Sequence, residues 1–286
     1  MSLTEEIKSY ALDLGYSRVG ITTAEPFPLY AQALEERSQD YDWAVDSGLR
    51  LGRNTFLCTP GIGTFVLIHT FIVDAELEYD APAAKGTHCP PDCRLCIEAC
   101  PTGAIVADFR LNPRRCLTFN HVVNVHGFRN TSPYIDPELR PKMASWIHGC
   151  DVCQEACPRN RAKLKAELPA SAFLEETAKH FSLPGLLRMD QEFERKAVAP
   201  LLYTYMRERK YFQRNAAVAL GNSGDPQMAP HLAQAIEDPE ELVRAHAAWA
   251  LGQLGGTGAR RTLEASLPRE SGTQAKEEIK AALEMV

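Results

Sequence analysis

The sequence has no long hydrophobic run, and its N-terminus lacks the order of residues that directs export. The longest apolar stretch, Thr64 to Asp74, is interrupted by polar residues and falls short of the roughly 20 residues that span a bilayer. The opening residues, Met-Ser-Leu-Thr-Glu-Glu-Ile, do not place basic residues before apolar ones as a signal peptide does. These absences predict a soluble, cytoplasmic protein that does not enter a membrane.

An excess of positive charge is absent as well. The formal net charge of the 286 residues is −6, and 24% of them are charged. An acidic chain of this kind is unsuited to indiscriminate nucleic-acid binding, although a local basic patch is compatible with it. Hydrophobic residues make up 45% of the chain, enough for a sizeable core, and the length favours about two domains.

Cysteine, in contrast, is present in a definite pattern. Two motifs each end in Cys-Pro, and a single cysteine lies between them. The eight thiols concerned are Cys89, Cys93, Cys96, Cys100, Cys116, Cys150, Cys153 and Cys157. In bacterial iron–sulfur motifs the cysteine before the proline ligates the other of two clusters. Eight thiolates therefore match two [4Fe–4S] clusters, each of which needs four.

The crossing rule divides these thiols into two ligand sets. The first cluster is predicted to be held by Cys89, Cys93, Cys96 and Cys157, and the second by Cys100, Cys116, Cys150 and Cys153. The spacing from Cys89 to Cys93 is one residue longer than the usual C-x2-C. Zinc is the alternative metal, because C-x2-C pairs also build zinc sites, but zinc ribbons do not call for Cys-Pro-Thr-Gly-Ala after the fourth thiol. A disulfide framework is disfavoured because the chain is large and carries no export signal.

Two further residues invite a chemical role and have a simpler explanation. Cys58, the ninth cysteine, has no neighbouring His or Arg in sequence and is predicted to be a small buried hydrophobe. His69 is predicted to be a core histidine of a strand rather than a ligand. The sequence leaves the catalytic residues unknown.

The segments around the motifs predict an α+β fold. We expect a helix from Thr4 to Leu14 capped by Thr4, and a strand from Ser17 to Thr23. One or two helices follow between Pro28 and Leu51. Two strands are predicted between Asn54 and Asp74, joined by the turn Pro60-Gly61-Ile-Gly63. A turn and the start of a helix are predicted from Tyr134 to Met143.

An internal repeat marks the C-terminal part of the chain. Asn215-Ala-Ala-Val-Ala-Leu-Gly221 recurs as His246-Ala-Ala-Trp-Ala-Leu-Gly252, and a partial copy covers Ala275 to Leu283. Paired helices at such a period stack into α-solenoids of the HEAT type, with a plain helical bundle as the alternative. The predicted domains are a small truncated α/β unit over 1–80, a two-[4Fe–4S] ferredoxin-like domain over 81–165, and α-helical HEAT-like repeats over 166–286.

The motifs and the repeat together resemble the epoxyqueuosine reductase family and, more distantly, the reductive dehalogenases. The residues that carry this resemblance are Cys100-Pro-Thr-Gly-Ala-Ile, Cys116 after Asn112-Pro-Arg-Arg, Gly149 to Pro158, and Arg214 to Gly221. The resemblance implies an oxidoreductase in which two [4Fe–4S] clusters pass electrons to cobalamin. The corrinoid then reduces the epoxide of epoxyqueuosine in a transfer RNA, which the helical repeats help to hold. It also implies a low-potential electron donor such as a ferredoxin or flavodoxin.

The sequence departs from that family in its N-terminal part. The family's cobalamin domain occupies well over a hundred residues before the clusters, whereas 88 residues precede Cys89 here. Most of the corrinoid-binding domain is therefore expected to be missing, and cobalamin binding stays open. Asp46 superficially resembles the family's proton-donating Asp, and a solvated helix carboxylate explains it as well. The alternative functions are a corrinoid-free electron-transfer module that serves a partner enzyme, or an RNA- or protein-binding protein with structural clusters.

Two basic runs are candidates for RNA contact. The first contains Arg140, Lys142, Arg159, Arg161, Lys163 and Lys165, and the second contains Arg207, Arg209, Lys210 and Arg214. If both face one groove, they form a stripe that binds phosphates without reading sequence. Solvated helix faces with carboxylate neighbours are the alternative.

Overall fold

The computed structural model describes most of the chain in two compact units. The described residues are 1–16, 18–21, 50–68, 75–80, 89–123, 132–167, 170–202 and 208–286. One unit, here called the cluster unit, comprises 1–112 and 151–167, and the other, the repeat unit, comprises 113–150 and 168–286. Helices and two small antiparallel sheets confirm the α+β class. The predicted boundaries after residues 80 and 165 stay predictions.

The first helix of the cluster unit, α1, runs from Leu3 to Asp13 and ends close to the prediction. It begins with a capping box in which the Ser2 side chain accepts from the Glu5 amide and the Glu5 carboxylate accepts from the Ser2 amide. The prediction of Thr4 as the cap is wrong, because Thr4 is buried inside the helix and its hydroxyl accepts from the Glu78 amide at 2.8 Å. The chain leaves the helix at Gly15, whose φ is +94°.

The strands of the cluster unit are short. Strand β1, Arg50–Leu51, pairs antiparallel with β2, Leu57–Cys58, and β3, Ile105–Ala107, pairs antiparallel with β4, Arg110–Leu111. Between these sheets in the sequence, a bridge from Thr59 to Gly63 closes the predicted turn.

The other predicted strands are not seen in the described residues. Residues 18–21 and 64–68 are not in strands. After the turn, the Thr64 amide donates to the side chain of Asn160 at 2.7 Å, so this amide is not available to a neighbouring strand. The helices predicted before residue 50, and the interpretations of Asp46 and His69, fall outside the described residues.

Three further helices of the cluster unit lie next to the cysteine motifs. They are α2, Leu95–Ala99; α3, Val152–Glu155; and α4, Arg161–Lys165. Each has only four or five residues, which is too short for a helix to be stable by itself. Their order must therefore come from contacts made by the motifs.

Every regular element that the structure describes in the repeat unit is a helix or a helical turn. Its helices are α5, Ala172–Ala178; α6, Leu183–Leu187; α7, Gln191–Phe193; α8, Arg209–Asn222; α9, Ala229–Ala235; α10, Glu241–Leu254; α11, Gly256–Ser266; and α12, Thr273–Met285. A short helical turn at Arg140–Met143 agrees with the predicted helix start there.

The repeated Ala-Leu-Gly sequence has a packing reason. A Cβ atom added to Gly221 in α8 would lie 2.8 Å from the Cα of Ala250 in α10. One repeat later, a Cβ added to Gly252 in α10 would lie 2.9 Å from the Cβ of Ala282 in α12. The glycines thus let α8 approach α10, and α10 approach α12, backbone to backbone. The stacked repeat is confirmed, and the predicted partial copy forms the full helix α12.

Candidate metal centre

A cavity in the cluster unit brings together all four thiols predicted for the first cluster. Its empty volume, open solvent included, is about 390 Å³. Its lining residues are Gly52, Arg53, Asn54, Cys58, Thr64, Cys89, Pro90, Cys93, Cys96, Cys157, Pro158 and Arg159. Segments that are distant in sequence, from Gly52 to Arg159, therefore meet around one space. A set of soft sulfur donors around a cavity suits an iron–sulfur cluster.

A fifth thiol, Cys58, lies in the same lining. It is 3% exposed and belongs to β2, where it pairs with Arg50. The prediction that Cys58 is buried is confirmed, but its place beside the ligand thiols was not foreseen. Cys58 precedes Cys89 by 31 residues, and the sequence pattern did not reveal that the two would line one cavity.

Asn160 holds the second motif against the segment after β2. This side chain is fully buried; its Oδ1 accepts from the Thr64 amide at 2.7 Å, and its Nδ2 donates to the Gln154 carbonyl at 2.7 Å. Gly63, with φ of +97°, leaves the space, because a Cβ there would lie 2.1 Å from Oδ1 of Asn160. Sequence reasoning missed Asn160, and a polar residue directly after Cys-Pro-Arg was its only signal.

The cavity disfavours charge on the thiols when no metal is bound. Burial, together with the neighbouring thiols of Cys89, Cys157 and Cys93, raises the pKa of Cys96 to about 11. Burial also raises the pKa of Cys157 and of Cys58. Iron ligation requires thiolates, so cluster assembly must release these protons. Two cations in the lining, Arg53 and Arg159, favour the negative charge of a thiolate-bound cluster.

Backbone amides donate hydrogen bonds to two of the predicted ligand sulfurs. The Arg53 amide donates to the Cys89 Sγ at 3.3 Å, and the Ala104 amide donates to the Cys100 Sγ at 3.2 Å. Although burial raises it, the pKa of Cys100 lies below its ordinary value because Thr102, Ile105 and Ala104 hydrogen-bond the sulfur. Donors of this kind set the reduction potential of iron–sulfur clusters.

The thiols predicted for the second cluster belong to both units. Cys100 and Cys153 lie in the cluster unit, whereas Cys116 and Cys150 lie in the repeat unit. Cys116 follows a short helical turn and its amide donates to the Pro113 carbonyl at 3.0 Å. The assignment of these four thiols to one cluster stays a prediction.

His121 lies in the repeat unit, five residues after Cys116. The sequence pattern did not identify it as a candidate site residue. Its Nδ1 is 2.8 Å from the carbonyl of Gly149, the residue before Cys150. Burial lowers the pKa of this imidazole to about 4, so the ring is neutral at physiological pH. Within the described residues its Nε2 has no hydrogen-bond partner.

The second predicted basic run does not form an open phosphate-binding surface. Arg209 pairs with Asp238 at 3.0 Å, and Lys210 pairs with Glu208 at 2.6 Å. Arg214 is fully buried and donates to the Pro133 carbonyl. These cations stabilise the repeat unit, and Arg207 lies outside the described residues.

The first predicted basic run contains one buried cation and five exposed ones. Arg140 is 1% exposed and makes two hydrogen bonds to Glu278, of 2.8 and 2.6 Å. The exposed cations of this run are Lys142, Arg159, Arg161, Lys163 and Lys165. Four of these follow Cys157 directly in the cluster unit. The expected RNA contacts are therefore restricted to this shorter set.

Two family models match separate parts of the chain. Residues 88–160 match a 4Fe-4S double cluster binding domain, and residues 198–284 match HEAT repeats. The first match covers eight cysteines, seven in the two motifs and the lone Cys116 between them. The chain thus carries a double iron–sulfur cluster domain followed by HEAT repeats, which confirms the two larger parts of the predicted fold.

Two curated relatives extend this similarity. The chain is 32% identical over 235 residues to an epoxyqueuosine reductase of Bacillus subtilis. The match covers 82% of this chain and 58% of that protein. An epoxyqueuosine reductase of Xanthomonas campestris is 31% identical, and this match covers 88% of this chain and 65% of that protein. The chain therefore spans about three fifths of the length of these relatives.

Solved structures show the same likeness. A structure of epoxyqueuosine reductase from Bacillus subtilis matches with a TM-score of 0.69 and 29% identity, over 90% of this chain and 69% of that one. A structure of epoxyqueuosine reductase with a tRNA stem loop matches with a TM-score of 0.67 and 25% identity, over 98% and 70%. The resemblance inferred from the motifs is confirmed.

None of the helices formed by the described residues has the length and apolarity needed to cross a membrane.

Proposed function

We propose that this chain is an iron–sulfur oxidoreductase of the epoxyqueuosine reductase type, which passes electrons through two [4Fe–4S] clusters toward a corrinoid to reduce epoxyqueuosine in tRNA. The observation that carries the proposal is the cavity in which Cys89, Cys93, Cys96 and Cys157 converge. The matched double-cluster domain and the epoxyqueuosine reductase relatives support it. We place the reaction in the cytoplasm, with a ferredoxin or flavodoxin as electron donor.

In this proposal the protein holds and tunes the clusters. Cys89, Cys93, Cys96 and Cys157 ligate the first cluster, and Cys100, Cys116, Cys150 and Cys153 ligate the second. When bound, the clusters supply single-electron transfer at low potential. The amides of Arg53 and Ala104 donate to ligand sulfurs, and Cys58 and Cys96 of the cavity lining are buried.

Transfer RNA is the proposed substrate carrier. One relative has been solved with a tRNA stem loop, and the cations after Cys157 are exposed. Arg161, Lys163 and Lys165 are proposed to contact phosphates, which position the RNA without reading its sequence. Replacing these three residues with Glu is expected to weaken tRNA binding and to flatten its dependence on salt. Lys179, Lys196 and Arg260, exposed cations of the repeat unit that pair with neighbouring glutamates, provide a charge-matched control when all three are replaced with Glu.

The iron content tests the ligand sets directly. Anaerobically reconstituted protein is expected to bind about eight irons per chain, because eight thiolates fill two cubanes. Electron paramagnetic resonance of the reduced protein should show two interacting clusters. A single zinc, or one cluster per chain, would contradict the proposal.

An electron-transfer module without its own chemistry is the second candidate. It is favoured by the match of residues 88–160 to a double cluster binding domain, because two clusters can pass electrons without a corrinoid in the same domain. A cobalamin titration separates the two candidates. Saturable binding, seen as a visible band distinct from the iron–sulfur absorbance, supports the reductase. Its absence in protein that holds both clusters supports the module.

A further inference from the structure

The first ligand loop of the cavity is unusual in length and in composition. Three residues separate Cys89 from Cys93, and two of them, Pro90 and Pro91, have no amide hydrogen. The extra residue is accommodated by Asp92, which has φ of +57°, a conformation that is uncommon outside glycine. Within the loop, the Cys93 amide donates to the Pro90 carbonyl at 3.2 Å. A loop this poor in donors needs support from outside to hold its cysteines in place.

Arg53 supplies that support from a different part of the sequence. Its Nη1 donates to the carbonyl of Pro90 at 3.0 Å and to the carbonyl of Cys93 at 2.7 Å. Its backbone amide donates to the Cys89 Sγ at 3.3 Å. One residue therefore contacts the beginning, the interior and the end of the ligand loop.

Arg53 is itself held by the hairpin formed by β3 and β4. Its Nε donates to Oδ2 of Asp108 at 2.7 Å, and its carbonyl accepts from the Phe109 amide at 3.2 Å. The Arg53 side chain is 15% exposed, so water competes little for these bonds. The guanidinium is a rigid fork that can serve the carboxylate and the two carbonyls at once, which a lysine cannot do.

We propose that Arg53 is a positioning residue for the first cluster, holding the Cys89–Cys93 loop so that Cys89 ligates iron despite the extra residue. The inference rests on the ligand set given under the proposed function. It explains how a spacing longer than C-x2-C is compatible with a cubane. It also assigns a role to a residue that lies 36 positions before the cysteine it serves.

The matched control is Arg94. It lies between Cys93 and Cys96, and it is exposed. Replacing Arg94 with Gln removes a positive charge next to the ligands but leaves the three contacts of Arg53 intact. Arg53→Lys does the opposite, because it keeps the charge and loses the fork.

The experiment compares full-length wild type, Arg53→Gln, Arg53→Lys and Arg94→Gln after anaerobic reconstitution. We expect Arg53→Gln and Arg53→Lys to release iron from the first cluster to a chelator about 10- to 100-fold faster than wild type, the usual effect of losing an outer-shell partner. Arg94→Gln should release iron at the wild-type rate. A redox titration followed by electron paramagnetic resonance should show a shifted potential for one cluster in Arg53→Gln and an unchanged potential for the other.

Helical circular dichroism of each variant reports whether the repeat unit is folded, so that general unfolding is recognised. Wild-type iron release and potential in a folded Arg53→Gln protein would overturn the inference. Equal acceleration in Arg53→Gln and Arg94→Gln, with Arg53→Lys unchanged, would also overturn it, because charge rather than positioning would then be responsible. Wild-type protein that fails to bind two clusters would instead overturn the ligand assignment.

Discussion

The cluster unit and the repeat unit are stabilised in different ways. In the part of the cluster unit that the structure describes, the buried apolar residues are Cys58, Cys96, Ala104 and Ile105. Two of these four are thiols that line the cavity. The repeat unit contains a continuous hydrophobic core that extends from Leu117 to Ala282. The cluster unit therefore has few buried apolar residues, and we expect its order to come from metal ligation and from buried hydrogen bonds such as those of Asn160. The repeat unit is stabilised by apolar packing.

The buried polar groups show the same difference. In the cluster unit, Arg53 and Asn160 connect loops around the cavity. In the repeat unit, Arg140 and His246 connect helices and turns inside a core that is already apolar, with the Ile135 amide donating to Nε2 of His246 at 3.2 Å. Removal of metal should consequently affect one unit much more than the other.

The largest expected effect comes from removing iron. We expect chelation to abolish the order of residues 89–112 and 151–167, because the short helices α2, α3 and α4 lack a core of their own. Helices α8 to α12 should remain protected. Hydrogen exchange with and without iron measures both. Unchanged protection of residues 89–112 after iron removal would remove the contrast between the units.

A second test separates ligands from neighbours within the cavity. Cys157→Ala should lose the first cluster, because Cys157 is its proposed fourth ligand. Cys58→Ala, a change in the same lining, should keep about eight irons per chain. Iron analysis and electron paramagnetic resonance give the answer. Loss of a cluster in Cys58→Ala with retention in Cys157→Ala would reverse the assignment of these two thiols.

Within the repeat unit the largest effect is expected at Arg140. Arg140→Ala leaves Glu278 partly buried and without this partner, and breaking such a pair costs about 3–5 kcal/mol. The control is Lys179→Ala, which removes an exposed pair with Glu176 and should cost at most about 1 kcal/mol. Urea unfolding followed by helical circular dichroism compares them. Similar midpoints for both variants would show that the buried pair adds no more than the exposed one.

A smaller effect is expected where the helices approach closely. Gly252→Ala places a Cβ 2.9 Å from the Cβ of Ala282, and overpacking of this kind costs about 1–3 kcal/mol. A Cβ added to Gly258, in α11, would meet open space, and the φ of this glycine is not positive. Gly258→Ala should therefore stabilise the repeat unit by about 0.4–1 kcal/mol. Thermal unfolding distinguishes the two, and stabilisation by both substitutions would mean that the close approach is not required.

The smallest effect concerns pH. Arg244 donates to both oxygens of Glu270 at 2.7 Å, and this hydrogen bonding holds the pKa of Glu270 below its ordinary value of 4.5. The stabilisation is therefore complete above pH 4.5 and is lost as the pH falls through the lower, folded pKa. The difference in unfolding free energy between wild type and Glu270→Gln should shrink below pH 4.5. A difference that is constant from pH 7 to pH 3 would show that the carboxylate charge is not involved.

Patterns that are local in sequence predicted their features well. The Cys-Pro motifs identified the double-cluster domain because ligand spacing reflects cluster geometry directly. The repeat of Ala-Leu-Gly identified the stacked helices because each copy makes the same contact. The helix near the N-terminus was predicted within one residue at each end, although Ser2 rather than Thr4 caps it.

Features that depend on pairing between distant segments were predicted poorly. The basic run at Arg209 and Lys210 was predicted to contact RNA. Two of its carboxylate partners, Asp238 and Glu240, lie on a later repeat segment, and a third, Glu208, is a neighbour in sequence. The described parts of the strands predicted for Ser17 to Thr23 and for the end of Asn54 to Asp74, residues 18–21 and 64–68, are not in strands. Alternation of residues does not say which backbone groups will find partners.

The sequence by itself determined which thiols bind iron–sulfur clusters in our proposal and which helices repeat, since both follow from spacing along the chain. Only the tertiary structure decided that Cys58 faces the same cavity as Cys89, that Asn160 locks the second motif, and that Arg53 holds the first ligand loop. Each of these contacts joins residues 31 to 96 positions apart. Chain folding, rather than local pattern, brings such residues within hydrogen-bonding or van der Waals distance.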